Sequence, residues 1–179
     1  MGKRLFFGLE LPESSRRALA QLDPGLKNVR WIRANQLHLT LGFLGNVESD
    51  GEEALINAME EVHVPPFFLP IEGVGTFGGS RPSIVWAGVG KGHPHLYALH
   101  KHVQDAILRA GLQPDLRAFH PHITLARVRD VSANTLRPFL REHAESDFGM
   151  IEVKEFVLFS SRPMPDGSIY TPEHRRPLF

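Results

Sequence analysis

Two short segments of this 179-residue chain, His38-Leu39-Thr40-Leu41 and His122-Ile123-Thr124-Leu125, repeat one alternation of polar and apolar residues. A period of two marks a β-strand buried on one face, because residues i and i+2 of a strand point the same way. Each segment therefore commits its part of the chain to a sheet. Leu37, Leu39 and Leu41 pack inward while His38 and Thr40 face an open surface, and Ile123 and Leu125 do the same behind His122 and Thr124. The two histidines lie close to half the chain apart, and each strand is followed by a helix pattern and then by more strand. That order predicts an α+β protein of two pseudo-symmetric lobes, each a mostly antiparallel sheet with helices on the outside. The groove between the lobes would hold the active site, and residues 1–179 would form a single bilobal domain.

The remaining patterns fill in this outline. RLFFGLEL (4–11) reads as a buried strand, and Pro12-Glu13-Ser14 opens a helix to about residue 22 that Asp23-Pro24-Gly25 stops. A short strand at Val29–Ile32 leads into the first His-x-Thr strand. A helix over 51–62 ends at Pro65-Pro66, and strands follow at about 67–77 and 83–89. Leu96, Leu99, Val103, Ala106 and Ile107 are spaced for a helix over 94–110 that Gly111 caps. After the second His-x-Thr strand come a helix near 132–143, one long strand from about 149 to 160, and a last strand around 168–172.

Composition narrows the chemistry. Twenty basic residues balance twenty acidic ones, which argues against a protein that coats long nucleic acid nonspecifically and favours a local site for a terminus or small fragment. With no cysteine there is no disulfide, thiol nucleophile or thiolate metal site. No apolar run approaches the length that crosses a bilayer, and the opening MGKRLFFGLELP is too short in its apolar part and too soon acidic for a secretory signal. The expectation is a cytoplasmic monomer with no membrane contact.

Two facing imidazoles with two hydroxyls supply acid and base in one site. Histidine titrates near pH 6.5, so one ring can accept a proton while its neighbour donates one. Phosphodiester hydrolysis needs both, with hydroxyl or guanidinium donors on the non-bridging oxygens. Thr40 and Thr124 suit that role, and Arg127, three residues beyond Thr124, adds a charge-assisted donor for phosphate or base. No metal or other cofactor is called for.

At these residues the chain resembles the 2H phosphoesterases, and closely the bacterial and archaeal RNA 2′,3′-cyclic phosphodiesterases, also called 2′-5′ RNA ligases. The resemblance runs over nearly the whole chain. It includes RLFFGLELP, the first motif extended to Phe43 and Gly45, the second motif from Phe119 through Pro121 to Arg127, and the closing Tyr170-Thr-Pro. It implies that His38 and His122 are the catalytic pair, that Thr40 and Thr124 bind phosphate, and that Phe43 and Arg127 lie near the nucleotide. It also implies opening of a terminal 2′,3′-cyclic phosphate to a 2′-phosphomonoester, with a reverse 2′-5′ joining at the same site. His38 is assigned as the acid on the leaving 3′ oxygen and His122 as the base on water, although sequence symmetry leaves the two interchangeable.

Other readings stand beside this one. A lone exposed histidine on a strand is ordinarily a polar surface residue, and strand threonines follow from β-propensity alone. Phe43 sits one residue beyond the alternation, which leaves its face open between core and groove, and Arg127 has the alternative of an ordinary surface charge. His93, His95, His100 and His102 cluster at the start of the third helix, but their i, i+7 spacing is longer than that of a one-turn ligand pair, and a solvated helix surface fits better. His120 shares the polar face only if its strand begins that early. Glu173-His174-Arg175-Arg176 reads as charged surface, with RNA contact as the alternative. The function classes left open are the RNA-end cyclic phosphodiesterase, a 2H enzyme for small cyclic nucleotides or 2′-5′ oligonucleotides, and a non-catalytic RNA-end binding module.

Overall fold

A computed structural model describes residues 1–90 and 92–179. Nine strands form one largely antiparallel sheet: β1 (Lys3–Glu10), β2 (Val29–Trp31), β3 (His38–Val47), β4 (Phe67–Phe77), β5 (Ile84–Val89), β6 (His122–Val128), β7 (Asp147–Val153), β8 (Glu155–Arg162) and β9 (Ile169–Pro177). Their order is β7-β4-β5-β6-β3-β1-β8-β9, with β2 added to β6. The two His-x-Thr strands are therefore the central pair. β1, β8 and β9 extend one lobe from β3, while β5, β4 and β7 extend the other from β6.

Between β7 at one end of this order and β8 near the other stands a single residue, Lys154. A flat sheet cannot place those strands so far apart on so short a connection, so the sheet curls into a half-barrel. This replaces the one long strand expected over 149–160. Val153 pairs with Phe67 in one lobe and Val157 with Gly8 in the other. The alternation slips by one at the same place, since the buried positions run Ile151, Val153 and then Phe156 with Lys154 and Glu155 both polar between them. The last strand is also longer than expected and takes in residues 173–176. Their charges are used at home: Glu173 pairs with Lys3, Arg175 with Glu10 and Glu155, and Arg176 with Glu60. Charge on an edge strand also deters pairing with other chains.

Helices α1 (Glu13–Ala20), α2 (Ser49–Met59), α3 (Pro94–Arg109) and α4 (Ala133–His143) cover the sheet. α2 packs on α3, which lies against β3, while α4 lies against β4. Gly111, at φ +76°, ends α3 in the left-handed region as expected, and its N–H donates to the Leu108 carbonyl. One apolar cluster joins the lobes, with Leu39 and Ile123 fully buried at its centre. A second, smaller cluster of Phe6, Val157 and Phe159, with Tyr170 against it, lies apart from the first. Among the described residues no helix is long and apolar enough to cross a membrane.

Candidate active site

β3 and β6 meet antiparallel at Leu39 opposite Ile123. That register sets His38 beside Thr124 and Thr40 beside His122, so each histidine faces the other strand's threonine. All four side chains line one groove of about 810 Å³.

The two rings are held alike. Nδ1–H of His38 donates to the Gln36 carbonyl at 2.8 Å, and Nδ1–H of His122 donates to the His120 carbonyl at 2.6 Å. A carbonyl only accepts, so the proton of each neutral ring is on Nδ1 and the lone pair on Nε2. The Thr40 hydroxyl meets Nε2 of His38 at 3.1 Å and donates to it in that tautomer. Burial holds both histidines below the ordinary value of 6.5, with His122 and Arg127 adding repulsion at His38 and His120 at His122. The carbonyl bonds oppose this, because they favour the protonated ring. Both imidazoles are therefore neutral at neutral pH before an anion arrives.

An aromatic bed explains the stronger enclosure of His38. Phe6 and Phe159 stack at 5.1 Å, Phe6 lies 5.0 Å from the His38 ring, and Tyr170 meets that ring edge-on at 4.9 Å. His122 has Phe77 edge-on at 4.9 Å.

Both motif strands bulge at the same place. Phe7 pairs with Gly42 and Gly8 with Thr40, leaving Leu41 extra; Val85 pairs with Ala126 and Trp86 with Thr124, leaving Leu125 extra. An extra residue shifts the alternation by one. Leu41 and Gly42 are consequently both buried, as are Leu125 and Ala126, and the next residue of each strand returns to the open face. These next residues are Phe43 and Arg127, each five beyond its histidine. Phe43 is 52% exposed, lines the groove, and is not core. Because the strands are antiparallel, Phe43 and Arg127 stand at opposite ends: a pseudo-symmetric frame carries an aromatic end and a cationic end.

Several lining groups lie outside the motifs. His100 stacks on Phe119 with centroids 3.8 Å apart and planes 5° from parallel, and Gln104 meets both His100 Nε2 and the Leu41 carbonyl. His93, half-buried, lies against Phe67. The four histidines at the start of this helix are thus divided: His93, His100 and His102 are half-buried and only His95 is fully on the surface, a partial correction to the solvated face. Among the described residues no three His, Cys, Asp or Glu side chains converge as a metal site. His120 precedes β6, so it acts on His122 through its carbonyl while also lining the groove. Heptad-like histidine spacing gave no hint of the His100–Phe119 stack, which depends on how the loop before β6 folds back.

Residues 11–161 match the family model of the 2′-5′ RNA ligase superfamily. The chain belongs to this superfamily. It is 33% identical to the RNA 2′,3′-cyclic phosphodiesterase of Escherichia coli strain K12, over 97% of this chain and 95% of that protein. The Aquifex aeolicus RNA 2′,3′-cyclic phosphodiesterase is 32% identical over 79% of this chain and 78% of its own. The crystal structure of Escherichia coli LigT complexed with 3′-AMP superposes with a TM-score of 0.82 at 30% identity, covering 99% of each chain. The resemblance drawn from the two motifs and the α+β architecture both hold in this superfamily member.

Proposed function

We propose that the protein hydrolyses the terminal 2′,3′-cyclic phosphate of RNA to a 2′-phosphomonoester, with His122 as general base and His38 as general acid. The carrying observation is the matched pair of Nδ1–H bonds to backbone carbonyls, at 2.8 and 2.6 Å, which leaves both Nε2 atoms for the substrate. Nε2 of His122 takes a proton from water, the water oxygen attacks phosphorus, the bond to O3′ breaks, and Nε2–H of His38 protonates O3′. Proton exchange with solvent resets the pair. Exposure supports this division of roles: His122 is the more open ring, where water is collected, and His38 sits in its aromatic bed.

Thr40 and Thr124 donate to the non-bridging oxygens. Substrate phosphate draws the Thr40 hydroxyl from His38 Nε2 and raises the affinity of that ring for a proton, which supplies the acid that the free protein lacks at neutral pH. Arg127 adds positive charge at its end, and Phe43 offers a ring face to a base. The scheme uses no metal ion or cofactor. The 5′-hydroxyl of a second strand in place of water would give a 2′-5′ linkage by the same steps.

Turnover of 2′,3′-cyclic AMP by the purified protein is the test of activity; binding without turnover would leave a recognition module instead. The pH profile tests the mechanism. Both free imidazoles lie below 6.5, so kcat/KM, which reports the free enzyme, should follow a bell centred on the acid side of 6.5. The bell in kcat should lie at higher pH, because bound phosphate raises the histidine that serves as acid. Coincident bells centred above pH 7 would contradict the assignment.

A further inference from the structure

Beside the catalytic groove lies a second hollow of about 380 Å³, between β2 and the loop that joins β8 to β9. The two share Arg127, Gln36 and Tyr170. β6 changes partner along the edge that meets β3: Leu39 pairs with Ile123, but further on β2 takes that edge, with Arg30 directly opposite Arg127. Residues directly opposite in an antiparallel pair share a face, and like charges there repel. Neither arginine has an acidic partner among the described residues. Arg33 adds a third guanidinium to the hollow, 65% exposed and 4.0 Å from Asp166.

Three guanidiniums at one end of a chain with no net charge form a local device. An anion lying over both would relieve the repulsion between Arg30 and Arg127. Gln36 fixes the opposite wall: its amide donates to the Ser168 carbonyl, and Gly167, at φ +119°, leaves room for that amide where a Cβ would stand 2.9 Å from it. The wall is thus tied to the segment that holds His38, since the Gln36 carbonyl accepts from its ring.

We propose that this hollow is a subsite for the RNA strand itself, in which Arg30 and Arg33 bind the phosphodiester preceding the terminal nucleotide. This rests on the cyclic phosphodiesterase reading and extends it: Arg127 is shared between the reacting phosphate and the one before it, and the enzyme prefers oligonucleotide ends to free cyclic mononucleotides. The terminal base lies toward Phe43, and the strand leaves the groove over β2.

The test compares the full-length protein with its Arg30→Gln/Arg33→Gln variant on 2′,3′-cyclic AMP and on a trinucleotide ending in a 2′,3′-cyclic phosphate. Arg127 is left in place. The variant should lose about tenfold or more in kcat/KM on the trinucleotide and stay within about twofold of the parent on the mononucleotide, with a shallower salt dependence for the trinucleotide only. Equal losses on both substrates, or no loss on either, would overturn the subsite. Fluorescence anisotropy with a labelled trinucleotide ending in a 2′-phosphate reads the same site without turnover. Binding about tenfold weaker in the variant supports the subsite even if hydrolysis fails, whereas equal binding overturns it even if hydrolysis succeeds.

Discussion

His38→Ala and His122→Ala should each lower kcat on a 2′,3′-cyclic phosphate by about 10²- to 10⁴-fold, the range for loss of a positioned acid or base. The two losses differ in kind. If His38 protonates the leaving oxygen, a phosphodiester with a p-nitrophenolate leaving group, which needs no proton, should restore much of the rate of His38→Ala. It should do nothing for His122→Ala, which lacks the base that activates water. The reverse pattern would exchange the roles. His38 is enclosed by Phe6, Phe159 and Tyr170, so thermal unfolding of both variants separates loss of chemistry from loss of fold. His122→Ala should unfold close to the parent, because its ring is the more open.

The threonines carry the second large effect. Thr40→Val and Thr124→Val keep the β-branched shape that each strand position accepts and remove one donor aimed at the phosphate. Removing a donor of this kind lowers kcat by about 10²- to 10³-fold. Serine in either place keeps the hydroxyl and should stay within about tenfold of the parent. The two valine variants part in their pH behaviour: Thr40 meets Nε2 of His38 at 3.1 Å, so Thr40→Val should move the limb of the profile that belongs to His38. Thr124→Val should leave that limb where it is. A parent-like rate in both variants would remove the threonines from the site.

Alternation in the sequence was enough to find the two central strands and to put His38, Thr40, His122 and Thr124 on one face, because no register slip occurs between the histidine and the threonine of either motif. It failed one step later. The extra residues Leu41 and Leu125 shift the phase, and a bulge leaves no mark in a pattern of single letters when the residues around it are all small or apolar. Hence Phe43 could not be assigned a face from its position, and the matching places of Phe43 and Arg127 emerged only from the pairing. At Lys154-Glu155 the alternation does slip, because Val153 and Phe156 are buried three residues apart, but a slip of one residue does not say that the strands on either side of it pair in different lobes. Arg30 and Trp31 read as a short strand, but only the pairing of β2 with β6 sets Arg30 against Arg127. The aromatic bed is a product of strand order: Phe6 and Phe159 are distant in sequence and become neighbours because β1 lies beside β8.

In the proposed reaction two imidazoles with their Nδ1 protons fixed on carbonyls open a cyclic phosphate by moving protons through Nε2, with the 3′ oxygen leaving. The most direct measurement incubates the full-length protein, in EDTA, with an oligonucleotide ending in a 2′,3′-cyclic phosphate and identifies the product. Undiminished turnover to a 2′-phosphate is the predicted result. A 3′-phosphate, or activity lost on chelation and restored by a divalent cation, would contradict it.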